Sequence, residues 1–344
     1  MDDRGERKPG GPDGVGCVPS HVAGRAREFT DPLWRVRVAL RPVEAELLRT
    51  APLRRLHSVA HAGASALTTL QTYSRLEHTL GVLALVAHFR PEDEPLRAAA
   101  LLHDIGHLPL SHSAEGVAGL DHHALGARLL RSDPVRPVLE RHGIGAEHVA
   151  ALLAGDPPSP LTRRSGLLNL DHLDSYVRSG RSAGQLDEDP ARLLARLRLA
   201  DDAVSTDRAT AATLVSLVGA EARLHTSWDN VAPVSVVRHL VGRLLESAPL
   251  SPAALARMTD AELWSALAAC PATRAETARL HHEPHRLHVT TAHAPATARP
   301  FALRKIYRSA PLVHGRPLAS SAPELARELD GLGALPTEFR VWWD

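Results

Sequence analysis

The helical spacing of apolar residues constrains the fold more than any other feature of this chain. In residues 73–89, Leu76, Leu80, Leu83 and Ala87 fall at positions i, i+4, i+7 and i+11, which places them on one face of an α-helix. Because such faces are buried against other helices, we expect a mainly α-helical core. The same spacing recurs in residues 43–54, 96–104, 121–130, 148–153 and 166–177, and in two longer stretches between residues 202 and 245.

The last quarter of the chain has a different character. It contains three segments rich in β-branched and aromatic residues, interrupted by Pro and Gly, at residues 285–291, 303–313 and 339–343. This composition predicts a small sheet, and residues 322–330 predict a helix packed on it. We therefore expect a C-terminal α+β appendage.

The domain organisation follows from these two patterns. Residues 1–27 are charged and rich in Gly and Pro, a composition that predicts a disordered leader. Residues 28–245 form the predicted helical core, and residues 246–344 form the predicted C-terminal helical and small-sheet region.

Charge and cysteine content exclude several classes of function. The chain of 344 residues has 40 basic against 39 acidic side chains and a net charge of +1, so a strong field for nucleic acid or an anionic membrane is not expected. Two distant cysteines, Cys17 and Cys270, exclude a disulfide scaffold and a multi-thiolate zinc site. The longest largely apolar stretch, residues 80–89, is about half the length that spans a bilayer. We expect a cytoplasmic protein with no membrane and no stable nucleic-acid partner.

The segment LLHDIGHLPLSH, residues 101–112, carries the most chemistry for its length. His103 and Asp104 are adjacent at the predicted end of a helix, where consecutive side chains can reach one point beyond the last turn. His107 follows in the break that Gly106 creates, and His112 comes after another short excursion.

Two further helices carry matching polar faces. Arg75 and His78 stand at i and i+3 upstream, and Asp171, Asp174 and Arg178 stand at i, i+3 and i+7 downstream. Residues at these spacings share a helical face. Three helices can therefore direct two imidazoles and two carboxylates at a single divalent cation; these are His78, His103, Asp104 and Asp171.

These residues resemble the H…HD…D metal motif of the HD-domain phosphohydrolases. The similarity is closest to the deoxynucleoside triphosphate triphosphohydrolase branch, which includes the bacterial dGTPases and the animal SAM-and-HD-domain dNTPase. It covers about residues 32–240, and its motifs occur in the order that the branch has. They are LRRLHSVAHAG (53–63), YSRLEHTLGV (73–82), HDIGHLPLSHSAE (103–115), DHHALGARLL (121–130) and LDHLDSYVRSG (170–180).

The resemblance implies an HD-domain helical core and a role for each matching residue. One divalent ion (Mn, Fe, Co, Ni, Mg or Zn) would be held by His78, His103, Asp104 and Asp171. Arg75 would bind a phosphate, for which a permanently charged planar group is well suited. Donors or acid–base groups around the phosphate chain would be His107, His112, Glu115 and His122.

Substrate contacts are implied at a second set of residues: Arg75, His61, His172, Asp174, Ser175, Tyr176, Arg178 and Trp228. Two of these have an alternative. Arg178 either reaches a phosphate or pairs with Asp174 along its helix, and Trp228 either lies near the base or is simply packed. A Gln that the branch carries has no clear counterpart here and falls near Ser58 or His61.

The sugar-facing positions depart from the pattern of the branch. Ser175 stands where the branch has a Tyr under the sugar, with Tyr176 one residue later. Ser179 replaces an Asp that reads the 3′-hydroxyl, and His172 replaces a phosphate-binding Lys. The metal motif is kept while these positions change, which predicts a phosphohydrolase with an altered substrate pocket.

The sequence thus predicts a metal-dependent hydrolase of a nucleotide phosphoester. The first candidate is a (deoxy)nucleoside triphosphate triphosphohydrolase, or one adapted to a modified nucleotide. The alternatives are a nucleoside monophosphate phosphatase that releases orthophosphate, and a non-catalytic nucleotide-binding regulator. Members of this family are commonly oligomeric, so we expect a homo-oligomer.

Overall fold

The computed structural model describes residues 24–25, 27–162 and 166–344. The predicted leader, residues 1–27, lies almost entirely outside the described residues. The first element is a hairpin of β1 (Glu28–Thr30) and β2 (Arg37–Ala39), in which Phe29 pairs with Val38. Both of these side chains are buried, so the hairpin packs onto the helices that follow it.

Eleven helices form the described part of the core. In chain order they are α1 (Pro42–Leu47), α2 (Ala51–Arg55), α3 (Arg75–Phe89), α4 (Glu94–Leu102), α5 (His122–Leu130), α6 (Val135–Arg141), α7 (Ala146–Ala154), α8 (Leu170–Ser182), α9 (Pro190–Ala195), α10 (Arg208–Thr226) and α11 (Trp228–Ser247). The predicted helix at residues 43–54 is split into α1 and α2, because Thr50 begins the second of them with Pro52 in its first turn.

Helix α3 lies at the centre of the core and packs against α4 and α8. Its start is fixed by a capping box, in which Ser74 Oγ accepts from the Glu77 amide at 3.2 Å and the Glu77 carboxylate accepts from the Ser74 amide at 2.8 Å. Such a box satisfies two donors that a helix otherwise leaves unpaired. The capping box therefore fixes where Arg75 and His78, in the first turn of α3, point.

The break after α4 brings a fourth helix close. A side chain at Gly106 would collide with the His122 carbonyl and the Gly126 amide, so only glycine allows α5 to approach this closely. The first turn of α5 therefore lies against the segment that follows α4. Asn169 caps the start of helix α8, because its side chain accepts from the His172 amide at 2.8 Å.

The C-terminal region contains helices and short strands. The helices are α12 (Pro252–Leu255), α13 (Asp260–Ala269), α14 (Arg274–His282), α15 (Leu318–Ser321) and α16 (Pro323–Gly331). The strands are β3 (Arg198–Ala200) and β4 (Ala203–Thr206) from the core, and β5 (Leu287–Thr290), β6 (Arg299–Ala302), β7 (Leu312–Val313) and β8 (Glu338–Trp343).

Two three-stranded sheets result. Strand β8 pairs with both β5 and β6 in antiparallel register, and β4 pairs with β3 and, in parallel, with β7. The strand predicted at residues 303–313 is wrong for most of its length, because only Leu312 and Val313 form a strand. Helix α16 confirms the helix predicted at residues 322–330, but it packs on α10 and not on the predicted sheet.

The prediction of a mainly α-helical core with a small C-terminal α+β part is confirmed. Among the described residues, no helix combines the length and the apolar character that crossing a bilayer requires.

Candidate metal centre

Three helices bring two imidazoles and a carboxylate to one point. His78 lies in the first turn of α3, His103 directly follows α4, and Asp171 lies in the first turn of α8. His78 Nε2 is 3.1 Å from Asp171 Oδ1 and 3.3 Å from His103 Nε2, and the remaining pair of atoms is 3.7 Å apart. Two ligand atoms that each lie about 2.1 Å from one ion are roughly 3–3.5 Å apart. The spacing therefore fits a single metal ion.

Asp104 faces the same point. Its carboxylate oxygens lie 3.3 Å from His103 Nε2 and 3.7 Å from His78 Nε2. The same carboxylate also accepts from Arg75 Nη1 and lies beside His107 Nε2, both at 3.0 Å. The four predicted ligands are thus together, and their two nitrogens and two carboxylates suit a borderline divalent cation.

Each imidazole is oriented by a partner on its other nitrogen. His103 Nδ1 donates to the Ala100 carbonyl at 2.8 Å, and His78 Nδ1 donates to Asp174 Oδ2 at 2.8 Å. A proton on Nδ1 leaves the Nε2 lone pair free for a metal. Both rings therefore present the correct atom to the site.

The structure corrects the predicted substrate role of Asp174 and Arg178. The Asp174 side chain is fully buried, and besides His78 it accepts from Trp34 Nε1 at 2.6 Å and from Arg178 Nε at 2.9 Å. Arg178 is also buried and reaches Asp31 Oδ2 at 3.2 Å. Of the two alternatives for Arg178, pairing with Asp174 is the one observed, so both residues support His78 from behind.

Electrostatics at the centre favour negative carboxylates and a positive imidazole while no ion is bound. Burial lowers the pKa of His103, but the neighbouring carboxylates Asp104 and Asp171 outweigh it and raise the pKa to about 9. Burial raises the pKa of Asp174, but Arg178 and His78 outweigh it and lower the pKa to about 2. A divalent cation would take the place of the proton on His103.

Three further histidines form a cluster of ring contacts next to the metal centre, one pair stacked and two pairs edge-to-face. The ring centroids of His107, His112 and His122 are 4.6 to 4.9 Å apart. Glu115 Oε2 lies 2.8 Å from His122 Nδ1, which leaves the opposite nitrogen of that ring for a reacting group. Burial, with help from Arg75, lowers the pKa of His107 to about 3, so this ring is neutral at pH 7.

The residues His112, Glu115 and His122 also have the spacing of a metal site. Glu115, however, is already bound to His122, and Arg304 Nη1 lies 3.8 Å from its second oxygen. A nearby guanidinium opposes a second cation. The predicted catalytic role of these three residues is therefore compatible with their surroundings and remains a prediction.

Arg75 is buried and held by three groups. Besides Asp104, it donates from Nε to Ser111 Oγ at 2.9 Å and from Nη2 to the His61 carbonyl at 3.1 Å. The His61 ring lies 4.7 Å from the ring of His78. His61 thus flanks the centre, and its backbone rather than its ring positions Arg75.

The C-terminal region reaches the outer side of α8. His172 Nδ1 is 2.6 Å from Ser309 Oγ, and its ring is 5.3 Å from that of Tyr307. Tyr176 is buried and packs 5.9 Å from the His172 ring, so the structure does not place it as a substrate contact, whereas Ser175 is half-buried. Tyr307 and Ser309 carried no sequence signal, because they lie far along the chain in an irregular segment.

Ser179 belongs to a polar cluster that the sequence did not reveal. Its hydroxyl donates to Glu221 and accepts from the Gln71 amide, and Glu221 lies 3.2 Å from His225 Nε2. The side-chain amide beside Ser179 therefore belongs to Gln71, which lies further along the chain than Ser58 and His61, where the sequence placed the missing Gln. The i, i+4 spacing of Glu221 and His225 on α10 was the only available signal.

Trp228 lies elsewhere. Its Nε1 donates to the Leu287 carbonyl at 2.8 Å, which ties the start of α11 to β5. Packing, not contact with a base, is the alternative that the structure supports.

Comparisons with known proteins agree with this geometry. Residues 75–197 match the family described as HD domain. A protein from Cordyceps militaris named metal-dependent phosphohydrolase cns2 is 29% identical over 275 residues, covering 74% of this chain and 77% of the relative. The uncharacterized protein YwfO of Bacillus subtilis is 33% identical over 153 residues, covering 40% of this chain and 35% of the relative.

Two solved structures share the fold. A hypothetical protein from Aquifex aeolicus superposes with a TM-score of 0.68 at 20% identity, covering 92% of this chain and 96% of that one. A phosphohydrolase from Bacteroides thetaiotaomicron gives a TM-score of 0.68 at 14% identity, covering 92% and 99%. These matches confirm the predicted HD domain and the predicted relationship to metal-dependent phosphohydrolases.

Proposed function

We propose that this chain hydrolyses a nucleotide phosphoester at the metal centre, with a nucleoside triphosphate or a modified form of one as the first candidate. One observation carries the proposal. The cluster of His78, His103, Asp104 and Asp171 lies directly beside Arg75 and the three clustered histidines, so phosphate-binding and proton-transfer groups border one ion site.

Each group then has a defined task. When bound, a divalent ion supplies Lewis acidity for attack of water on phosphorus. Arg75 provides a permanent positive charge for the developing phosphoryl charge. His122, oriented through Nδ1 by Glu115, donates a proton from Nε2 to the leaving oxygen, and Glu115 stabilises the imidazolium before that transfer.

Cations from the C-terminal region support a substrate with several phosphates. Arg304 lies 3.8 Å from Glu115, and Lys305 Nζ lies 4.7 Å from the Tyr307 ring centroid. Both side chains are exposed. They border the histidine cluster and the outer side of α8, where the distal phosphates of a triphosphate would extend.

The sugar end supports a substrate other than an ordinary deoxynucleotide. The carboxylate near position 179 comes from Glu221 on another helix, and Ser179 itself is buried between Glu221 and Gln71. A hydroxyl that contacts this cluster would meet Glu221 rather than a carboxylate on α8.

A monophosphatase is the second candidate, and one observation favours it. All three guanidinium nitrogens of Arg75 already have partners within the protein, and His172 provides no permanent charge where a lysine is expected. Close to the metal centre, Arg75 is thus the cation that would bind a phosphate, and one such group is enough for a substrate with a single phosphate.

Product identification separates the candidates. The purified protein is reconstituted separately with Mn²⁺, Fe²⁺, Co²⁺, Ni²⁺, Mg²⁺ and Zn²⁺ and incubated with nucleoside mono-, di- and triphosphates, including modified ones. Nucleoside plus triphosphate supports the first candidate, and orthophosphate from a monophosphate supports the second. Binding without turnover would support the nucleotide-binding regulator instead.

Variants test the site itself. His103→Ala and Asp171→Ala are expected to abolish both metal content and turnover, whereas His112→Ala keeps the metal and slows the reaction. His142→Ala is the matched control, because His142 pairs with Glu46 outside the site. Full turnover in His103→Ala would eliminate the proposed centre.

A further inference from the structure

Two loops lie side by side next to the metal centre, residues 59–63 and residues 108–112. In the second loop, Leu110 and Ser111 have φ values of 55° and 52°, a left-handed conformation that costs free energy for residues with a side chain. A side chain at Gly63 would collide with the Leu110 carbonyl, so the loops are in direct contact. Such a conformation persists only where surrounding groups hold it.

One carboxylate holds both loops. Asp260, in the first turn of α13, accepts from the Leu110 amide through Oδ1 at 2.6 Å and from the Ala60 amide through Oδ2 at 2.7 Å. Arg55 supports the same junction, because it donates to the Met258 carbonyl at 3.0 Å and to the carbonyl of His107. The start of α13 is thus joined to both loops.

The next residue in each loop contacts Arg75. Ser111, which follows Leu110, accepts from Arg75 Nε at 2.9 Å and donates to the Ala60 carbonyl at 2.5 Å. His61, which follows Ala60, accepts from Arg75 Nη2 at 3.1 Å through its carbonyl. Two of the three groups that orient the Arg75 side chain therefore lie one residue beyond the amides that Asp260 binds.

From these contacts we infer that Asp260 is a positioning residue for Arg75 and His112. Its carboxylate fixes the relative position of the two loops, and the loops fix the Arg75 guanidinium and the start of the His112 side chain. Asp260 lies outside residues 75–197, which match the HD domain, so the C-terminal region completes the phosphate-binding side of the centre. The inference rests on the proposed function in that Arg75 binds phosphate there.

The metal ligands give a clear contrast. Among the described residues, Asp260 accepts hydrogen bonds from the Leu110 and Ala60 amides and contacts none of His78, His103 and Asp171, which are fixed by α3, α4 and α8. Loss of the Asp260 carboxylate is therefore expected to misplace Arg75 and His112 while the metal still binds. A displacement of about 1 Å can reduce a rate about 100-fold.

The test compares Asp260→Asn with Glu262→Gln. Asparagine keeps the shape but offers only one acceptor to two amides. Glu262 caps the same helical turn through Thr259 and contacts neither loop, which makes it the matched control. We expect kcat to fall about 10- to 100-fold in Asp260→Asn, with the wild-type metal content, while Glu262→Gln keeps wild-type kcat.

A second readout does not need turnover. Inorganic phosphate is titrated into the metal-loaded protein by calorimetry, and we expect its Kd to rise about tenfold in Asp260→Asn, as in Arg75→Lys. A double-mutant cycle combines Asp260→Asn with Ser111→Ala. We expect Asp260→Asn to weaken phosphate binding much less in the Ser111→Ala background than in wild type, because both residues act through Arg75.

The inference is overturned if phosphate Kd stays within twofold of wild type, if metal content falls in parallel with activity, or if the two substitutions are additive. Should Asp260→Asn not fold, Asp260→Glu keeps the charge and displaces the carboxylate by one methylene, and the same outcomes apply to it. If the wild-type protein turns over no nucleotide, the proposed function fails, and the phosphate titration still decides the role of Asp260.

Discussion

Asp174→Asn separates support of the metal ligand from contact with substrate. Asp174 is fully buried and accepts from His78 Nδ1, Trp34 Nε1 and two nitrogens of Arg178, at 2.6 to 2.9 Å. Asparagine removes the charge and leaves one acceptor for four donors. Arg178 then keeps Asp31 as its carboxylate partner, at 3.2 Å. The substitution therefore leaves the buried Arg178 guanidinium without its main carboxylate partner.

Two independent arguments give the size of the effect. Removing one partner of a buried ion pair costs about 3–5 kcal/mol. The difference between the ordinary pKa of 3.8 and the value of about 2 for Asp174 corresponds to about 2–3 kcal/mol of stability at pH 7. We expect the free energy of unfolding of the metal-free protein to fall by about 3 kcal/mol. We also expect metal affinity to fall about 10- to 100-fold, because Asp174 orients His78.

Urea unfolding of the metal-free protein measures the first effect, and competition with a chelator measures the second. Asp171→Asn is the matched control, since it makes the same change three residues earlier on a side chain that is 32% exposed. It is expected to lose metal more severely and to lower stability by less than Asp174→Asn does, because solvent reaches the Asp171 carboxylate and screens its interaction with His78. If Asp174→Asn leaves stability and metal affinity unchanged and raises only KM, Asp174 contacts substrate and the reasoning is refuted.

Three further outcomes are expected. His103, with its pKa raised to about 9 by Asp104 and other carboxylates, releases a proton when metal binds. Metal affinity should therefore rise with pH up to about pH 9, and calorimetry in two buffers measures the released proton. In the metal-free protein, the stability that protonated His103 contributes is fully present below pH 6.5 and should be lost as the pH rises through about 9. Gly81→Ala would collide with the Arg178 side chain and should cost about 1–3 kcal/mol in urea unfolding. Ser179→Asp would face Glu221, so its Tm should fall more at pH 8 than at pH 5.

The features that the sequence predicted share one property: they depend on residues close together in the chain. Helix α3 was recognisable because its apolar residues repeat at helical spacing, and the capping box that starts it joins two residues, Ser74 and Glu77, that are only three positions apart. His103 and Asp104 were recognisable because a helix ends there beside Gly106. Local patterns of this kind determine where a helix stops and which side chains extend beyond it.

The features that the sequence did not predict depend on distant contacts. Trp34 reaches Asp174 across 140 positions, and Asp260 reaches Leu110 across 150. Neither residue belongs to a motif, and each acts through a hydrogen bond that only the folded chain creates. The predicted appendage illustrates the same limit, because its composition indicates strands but not that α13 and residues 303–310 lie beside the centre.

Asp171 and Asp174 have different contacts although they share a helical face, so a shared face alone does not show which of two carboxylates binds metal. Both residues lie on the face of α8 that points toward α3, as their spacing predicts. One turn separates them along the axis, so Asp171 meets Nε2 of His78 while Asp174 meets Nδ1 of the same ring, 2.8 Å away. The first nitrogen faces the ion and the second faces the core. Periodicity fixes the direction of a side chain, but the orientation of the imidazole between the helices decides which carboxylate binds metal and which one holds the ligand.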